Sequence, residues 1–175
     1  MHQTVMKYYI ILILFFTVSI AQAQNNVRLY AYTQDATPGI AAKERDQDGK
    51  IIKKTTDKTY HYFMYLGSSS KSKIYPVALW IKGEQVGVKS EAVNTIPVVL
   101  TTDNGTLQPN EVILVPKTKA KVFQLTGTSG GTSKEFPKAK TLSNTNELVL
   151  VYKLNGKFYY ASQKKFAELS PSTLQ

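Results

Sequence analysis

The sequence predicts an all-β protein, an antiparallel β-sandwich or a small, partly open barrel of about 8–10 short strands. Three observations carry that expectation. Asn155-Gly156 separates two β-favouring runs, residues 147–154 and 157–162, and Asn-Gly in that setting is the strongest short-range hairpin signal, because both central residues of a type I′ turn need positive φ. A two-residue apolar alternation recurs from Val27 onward, interrupted by Gly, Pro, Asn and Asp. No stretch beyond residue 24 shows three turns of amphipathic helical periodicity.

In the Asn155-Gly156 hairpin the two-residue turn sets the register. Leu154 faces Lys157, Tyr152 faces Tyr159 and Leu150 faces Ala161 on one side; Val151 with Tyr160 and Lys153 with Phe158 lie on the other. Both faces are largely apolar, so the ribbon is expected to be covered on both.

Upstream, residues 27–34 set Val27, Leu29 and Ala31 against Arg28, Tyr30 and Tyr32 as a first strand. Residues 35–49 contain Pro38-Gly39 and Asp46-Gln47-Asp48-Gly49 and read as turn and loop, with one helical turn at 40–45. Strands are expected at 51–56 and 59–66, the latter with Tyr60, Tyr62, Met64 and Leu66 on one face and His61, Phe63 and Tyr65 on the other. Residues 73–82 and 85–93 flank Gly83-Glu84 as a second hairpin, with Tyr75, Val77, Leu79 and Ile81 sharing a face opposite Ala78 and Trp80. Pro76 has no N–H to donate, so this strand begins beyond it or lies at an edge. Residues 96–102, 111–115 and 120–126 complete the strands. Residues 127–146, rich in Gly, Ser, Thr, Lys and Asn, read as a long polar loop with Phe136 as its apolar anchor. A short C-terminal helix is expected at 163–169, stopped by Ser170-Pro171.

Residues 1–23 read as a signal peptide and stand outside the fold: Lys7 is the positive n-region, residues 8–20 the apolar core and Ala21-Gln22-Ala23 the small-x-small cleavage site. The apolar run is shorter than the roughly 20 residues that span a bilayer, and no cysteine follows it to carry a lipid, so no stable membrane anchor is expected after cleavage. The Ala-Gln-Ala-Gln junction ending at Gln24 resembles that of exported proteins of Bacteroidota; the resemblance covers the signal alone, and implies a periplasmic, secreted or outer-membrane-associated protein. Residues 24–175 suffice for a single β domain.

The chain has no cysteine, which removes disulfides, thiol nucleophiles and thiolate metal sites. Its net charge of +10 is almost entirely lysine, Arg28 and Arg45 being the only arginines. Low arginine and export both oppose nucleic-acid binding. Lysines scattered in ones and twos read as a solubilising surface that discourages edge-to-edge pairing, with a generic attraction to anionic envelope surfaces.

Apparent catalytic motifs lack their context. Gly127-Thr128-Ser129-Gly130-Gly131 matches G-x-S-x-G, but that elbow needs a strand-turn-helix and a downstream histidine; Pro137 opposes a helix, and His61 lies upstream. Ser68 with Lys71 and Ser162 with Lys165 match S-x-x-K without the accompanying sequences. Glu44, Asp46 and Asp48 have EF-hand spacing, but Thr55 stands where a bidentate carboxylate is needed, and an Asp-Gly turn accounts for the same residues. A lone histidine does not make a zinc site. No cofactor, metal or catalytic residue is therefore expected.

The expected function is that of a non-catalytic exported domain, a binding or assembly component of the bacterial cell envelope with an envelope protein or glycan as partner. The candidate surface comprises Arg28, Tyr30, Tyr32, Phe136, Tyr152 and Tyr159. Alternatives are a carbohydrate-binding module with Tyr30–Tyr32 or Tyr152–Tyr159 as stacking platform, a lipocalin-like carrier of an apolar ligand, and a hydrolase using Ser129 or His61.

Overall fold

The computed structural model describes residues 27–36, 59–102, 110–131 and 134–170; the signal segment, the expected strand at 51–56 and the carboxylates Glu44, Asp46 and Asp48 lie outside them. The elements are β1 (Val27–Asp35), β2 (Tyr60–Ser68), β3 (Ile74–Ile81), β4 (Glu84–Ala92), β5 (Val98–Thr102), β6 (Asn110–Val115), β7 (Lys121–Thr128), α1 (Pro137–Ser143), β8 (Leu148–Leu154), β9 (Lys157–Gln163) and β10 (Ala167–Leu169). Eight strands form one sheet in the order β10-β1-β2-β7-β4-β3-β8-β9, and β5 pairs with β6 in a second, small sheet. Every pairing is antiparallel except β1 with β10, so the large sheet is mixed.

Chain connectivity makes this sheet curl. β9 and β10 lie at opposite ends of the strand order, yet only residues 164–166 separate them. Four Cα steps reach at most about 14 Å, so the two edges must come round towards each other, giving a half-barrel. The corner falls in β4, which pairs with β3 up to Val86 and with β7 from Gly87 onward. A Cβ on Gly87 would lie 2.5 Å from the Gly130 carbonyl oxygen and against Thr128 Oγ1, which is why this position takes glycine.

The Asn155-Gly156 hairpin has the expected register, Leu154 opposite Lys157 through Leu148 opposite Gln163, with φ of 50° and 80° at the turn. Both its faces are covered along β8. Leu148, Leu150 and Tyr152 enter the barrel interior with Ala31, Met64, Leu66, Ile74, Leu79, Leu125 and Phe166. Val149 and Val151 face outward beneath α1, packed with Ala78, Trp80, Phe136 and Ala139. A third cluster lies on the outer face of β1, β2 and β7, where Tyr65 and Val122 pack under Leu114 and Val115 of the small sheet.

Four local expectations are corrected. Residues 127–146 are not one loop: β7 continues to Thr128 and α1 follows, with Pro137 in its first turn, where the missing N–H has no intrahelical partner to lose. Residues 163–169 are not helical. Extended chain lets Phe166 turn inward against Tyr62, ring centroids 5.1 Å apart, while the Glu147 carboxylate accepts the Phe166 N–H at 2.8 Å and β10 pairs with β1, long-range contacts that outweigh local helix propensity. The second hairpin turns at Lys82-Gly83, one residue earlier than Gly83-Glu84, with φ of 49° and 89°. Val77 faces outward with Ala78, because a bulge between Pro76 and Ala78 resets the alternation. Pro76 sits where β4 has already left β3, so one side of the strand is locally an edge.

Candidate functional site

The six candidate residues fall in three places. Tyr30 and Tyr32 project from the outer face of β1 and are half-buried against the cluster capped by the small sheet. The Tyr32 hydroxyl donates to the Leu114 carbonyl at 2.7 Å, and the Arg28 guanidinium lies over the Tyr30 ring at 5.2 Å. Tyr152 and Tyr159 stack at 5.8 Å on the inner face, Tyr152 only 2% exposed. Burial, reinforced by the neighbouring phenol, raises the Tyr152 pKa above its ordinary value. Phe136 turns inward against Trp80 and Phe158, at centroid distances of 6.3 and 5.4 Å, and anchors α1 to the sheet. Neither tyrosine pair stands clear of the fold as a stacking platform, and leucines fill the barrel interior.

His61 and Ser129 are both exposed, and the pairing of β2 with β7 ends at Met64 opposite Leu125, before either is reached. Among the described residues no group of three His, Asp or Glu side chains is placed to hold a metal, and no helix is long and apolar enough to cross a membrane.

The curl of the sheet brings together something that sequence reading missed, a seam between β1 and β9. β10 pairs with β1 only at Tyr32, Thr33 and Gln34, so among the described residues the same edge of residues 27–31 has no ladder partner. Among the described residues β9 pairs with β8 alone. In a hairpin closed by a two-residue turn the closing pair is hydrogen-bonded and alternate pairs follow, so residues 157, 159, 161 and 163 bond to β8 while the N–H and C=O groups of 158, 160 and 162 point into the seam. Gln163 pins one end of the seam, its Nε2 donating to the Ala31 carbonyl at 3.4 Å and to the Lys165 carbonyl at 3.0 Å. Two adjoining depressions of about 460 and 330 Å³ lie along the rest. Val27 and Leu29 line both; Tyr30 and Tyr32 flank one, and Tyr152 and Tyr160 the other. Four of the six candidate residues, Arg28, Tyr30, Tyr32 and Tyr152, therefore border one wedge, although they occupy different faces.

Among the described residues these features define a half-barrel covered outside by a helix and a two-stranded sheet and left unclosed along one line. No known protein family matches the chain, and no curated protein and no solved structure matches it.

Proposed function

We propose that this chain is an exported, non-catalytic binding module of the bacterial cell envelope, which takes an extended segment of a protein partner into the β1–β9 seam. The observation that carries this reading is the pair of strand edges facing each other across a tyrosine-bordered wedge. Unpaired main-chain groups supply affinity for an added strand, and pockets for alternate side chains supply selectivity. The tyrosines add large, rigid contact area with hydroxyls that can be satisfied at the rim.

Ser162 gives a clean test. It is exposed, its N–H points into the seam, and proline on an edge strand is tolerated where the lost N–H faces away from the ladder. A photo-cross-linker at Arg28 or Tyr160, presented to an envelope extract, is expected to capture one partner that the same group at Thr141 on α1 does not. Ser162→Pro is expected to lose that capture with little change in melting temperature. Equal capture from all three positions, or capture unaffected by Ser162→Pro, would sink the reading.

A further inference from the structure

Among the described residues, the two ends of the barrel carry different charge. Antiparallel pairing brings the start of β1, the β2–β3 link, the end of β4, the approach to β7 and the β8–β9 turn to one end. Lysines far apart in sequence meet there: 71 and 73 in the link, 117, 119 and 121 before and at β7, 153 and 157 beside the hairpin turn, with Arg28 alongside. All are exposed. Two carboxylates adjoin this end among the described residues: Glu91, which Lys89 holds at 2.8 Å, and Glu135, between Lys134, whose Nζ lies 4.0 Å from the Phe158 ring centroid, and Phe136, which packs on that ring. At the opposite end Asp35, Glu84, Glu147 and Glu168 are interspersed with Lys82, Lys164 and Lys165. The lysines are therefore not a uniformly scattered coat.

At the basic end a depression of about 450 Å³ opens between the β2–β3 link and strands β4 and β7. Lys71, Lys73 and Lys121 line it, together with Ile74, Val122 and Phe123. Ser68 and Ser70 Oγ accept the backbone N–H of residues 70 and 72 at 3.2 and 3.1 Å, which leaves each hydroxyl proton to donate. Beside it Tyr75 is 51% exposed, with Lys73 Nζ 5.0 Å from its ring centroid, at the rim of a second depression that reaches Lys153.

We infer that this end of the barrel docks peripherally on an anionic phospholipid bilayer, with the depression at Lys71, Lys73 and Lys121 receiving a phosphate-bearing headgroup. Charge complementarity names the surface, and three features favour a bilayer over a small soluble anion. The cations spread across the whole end instead of converging on one point. Apolar residues adjoin the lysines of the depression. An exposed tyrosine beside a lysine matches the amphipathic belt that settles at headgroup level. Lysine in place of arginine fits point-charge attraction more than planar, bidentate recognition. Each lysine near an anionic bilayer is worth about fivefold in affinity, an attraction that falls off within a Debye length.

The test is co-sedimentation of the purified protein with phosphatidylcholine vesicles, plain or doped with phosphatidylglycerol. Binding is expected to the doped vesicles only, and to weaken as sodium chloride rises. Lys71→Gln with Lys121→Gln is expected to weaken it about 25-fold, two independent lysines at the per-lysine value, with thermal melting unchanged. Lys164→Gln with Lys165→Gln at the opposite end removes the same net charge and is expected to leave binding within about twofold. Tyr75→Ala is expected to weaken it further at fixed charge. Equal binding to both vesicle types, or equal loss with the Lys164 and Lys165 pair, would overturn the inference. So would displacement by inorganic phosphate at matched ionic strength, which assigns the depression to a free anion, or binding to dextran sulfate without binding to doped vesicles, which assigns the end to a polyanion.

Discussion

β8 and β9 are the two arms of one hairpin, both rich in apolar residues, and they meet different fates. β8 is buried over its first five residues, its inner face in the barrel and its outer face beneath α1. β9 is half-buried or exposed throughout, because among the described residues its far edge meets the seam and not another strand. Composition separates them in part, Leu and Val on β8 against Phe, Tyr, Lys, Ser and Gln on β9, and position in the strand order adds to it. Residues of β8 are enclosed on both faces, whereas those of β9 pack on the fold only in part, Tyr159 on Tyr152 and Phe158 on Phe136, and border the seam with the rest of their surface.

The sharpest way to break this comparison is to shorten opposed side chains. Leu150 is fully buried and faces Ala161 across the ladder. Leu150→Ala is expected to destabilise by about 3 kcal/mol, the lost transfer energy plus the cavity left in the barrel interior. Ala161→Gly on half-buried β9 is expected to cost about 1 kcal/mol, mostly backbone entropy. Urea unfolding measures both, and equal losses would show that the two arms are equally integrated. Between these lies the turn they share: Gly156→Ala forces a side chain into φ of 80° and is expected to cost about 1–2 kcal/mol without altering either face.

Much of this architecture was legible from alternation alone. The faces of β1 and β2 follow from the period of two, with Leu29, Met64 and Leu66 inward and Tyr30 and Tyr65 outward, and the register of β8 with β9 follows from Asn155-Gly156. What escaped was decided by contacts distant in sequence. α1 has seven residues and no side-chain cap; it stands where it does because Phe136 and Ala139 find Trp80, Val149 and Val151. The bulge that turns Val77 outward is a misfit between β3 and β8, visible in neither strand alone. The seam and the basic end follow from strand order, which local patterning does not encode: Lys71, Lys121 and Lys153 look dispersed until antiparallel pairing collects them. Tyr30, Tyr32 and Tyr152 were legible as candidates because tyrosines at alternate or facing strand positions are conspicuous, but that Tyr160 and Ser162 look on to the same wedge follows from the strand order alone.

The tyrosines offer the finest division between covered and uncovered surface. Burial raises the pKa of Tyr32, Tyr65 and Tyr152 above the ordinary value of 10.0, with a neighbouring tyrosine adding to each and Arg28 acting in the opposite sense on Tyr32. A raised folded-state value means that the fold favours the neutral phenol. That contribution is fully present below the unfolded pKa near 10 and is lost as pH climbs through it towards the folded value. Stability is therefore expected to hold to about pH 10 and to fall above it. Tyr32→Phe separates the two roles of that hydroxyl. Near pH 7 the variant lacks the hydrogen bond to the Leu114 carbonyl and is expected to be about 1 kcal/mol less stable. As pH rises past 10 the wild type must suppress an ionisation that the variant cannot undergo, so the gap between them narrows. Tyr75→Phe, at a ring 51% exposed on the basic end, is expected to leave the unfolding curve at pH 7 unchanged. Denaturant midpoints from pH 7 to 11 for the three proteins make the comparison, and a constant gap for Tyr32→Phe would mean that the small sheet does not shield the outer face of β1.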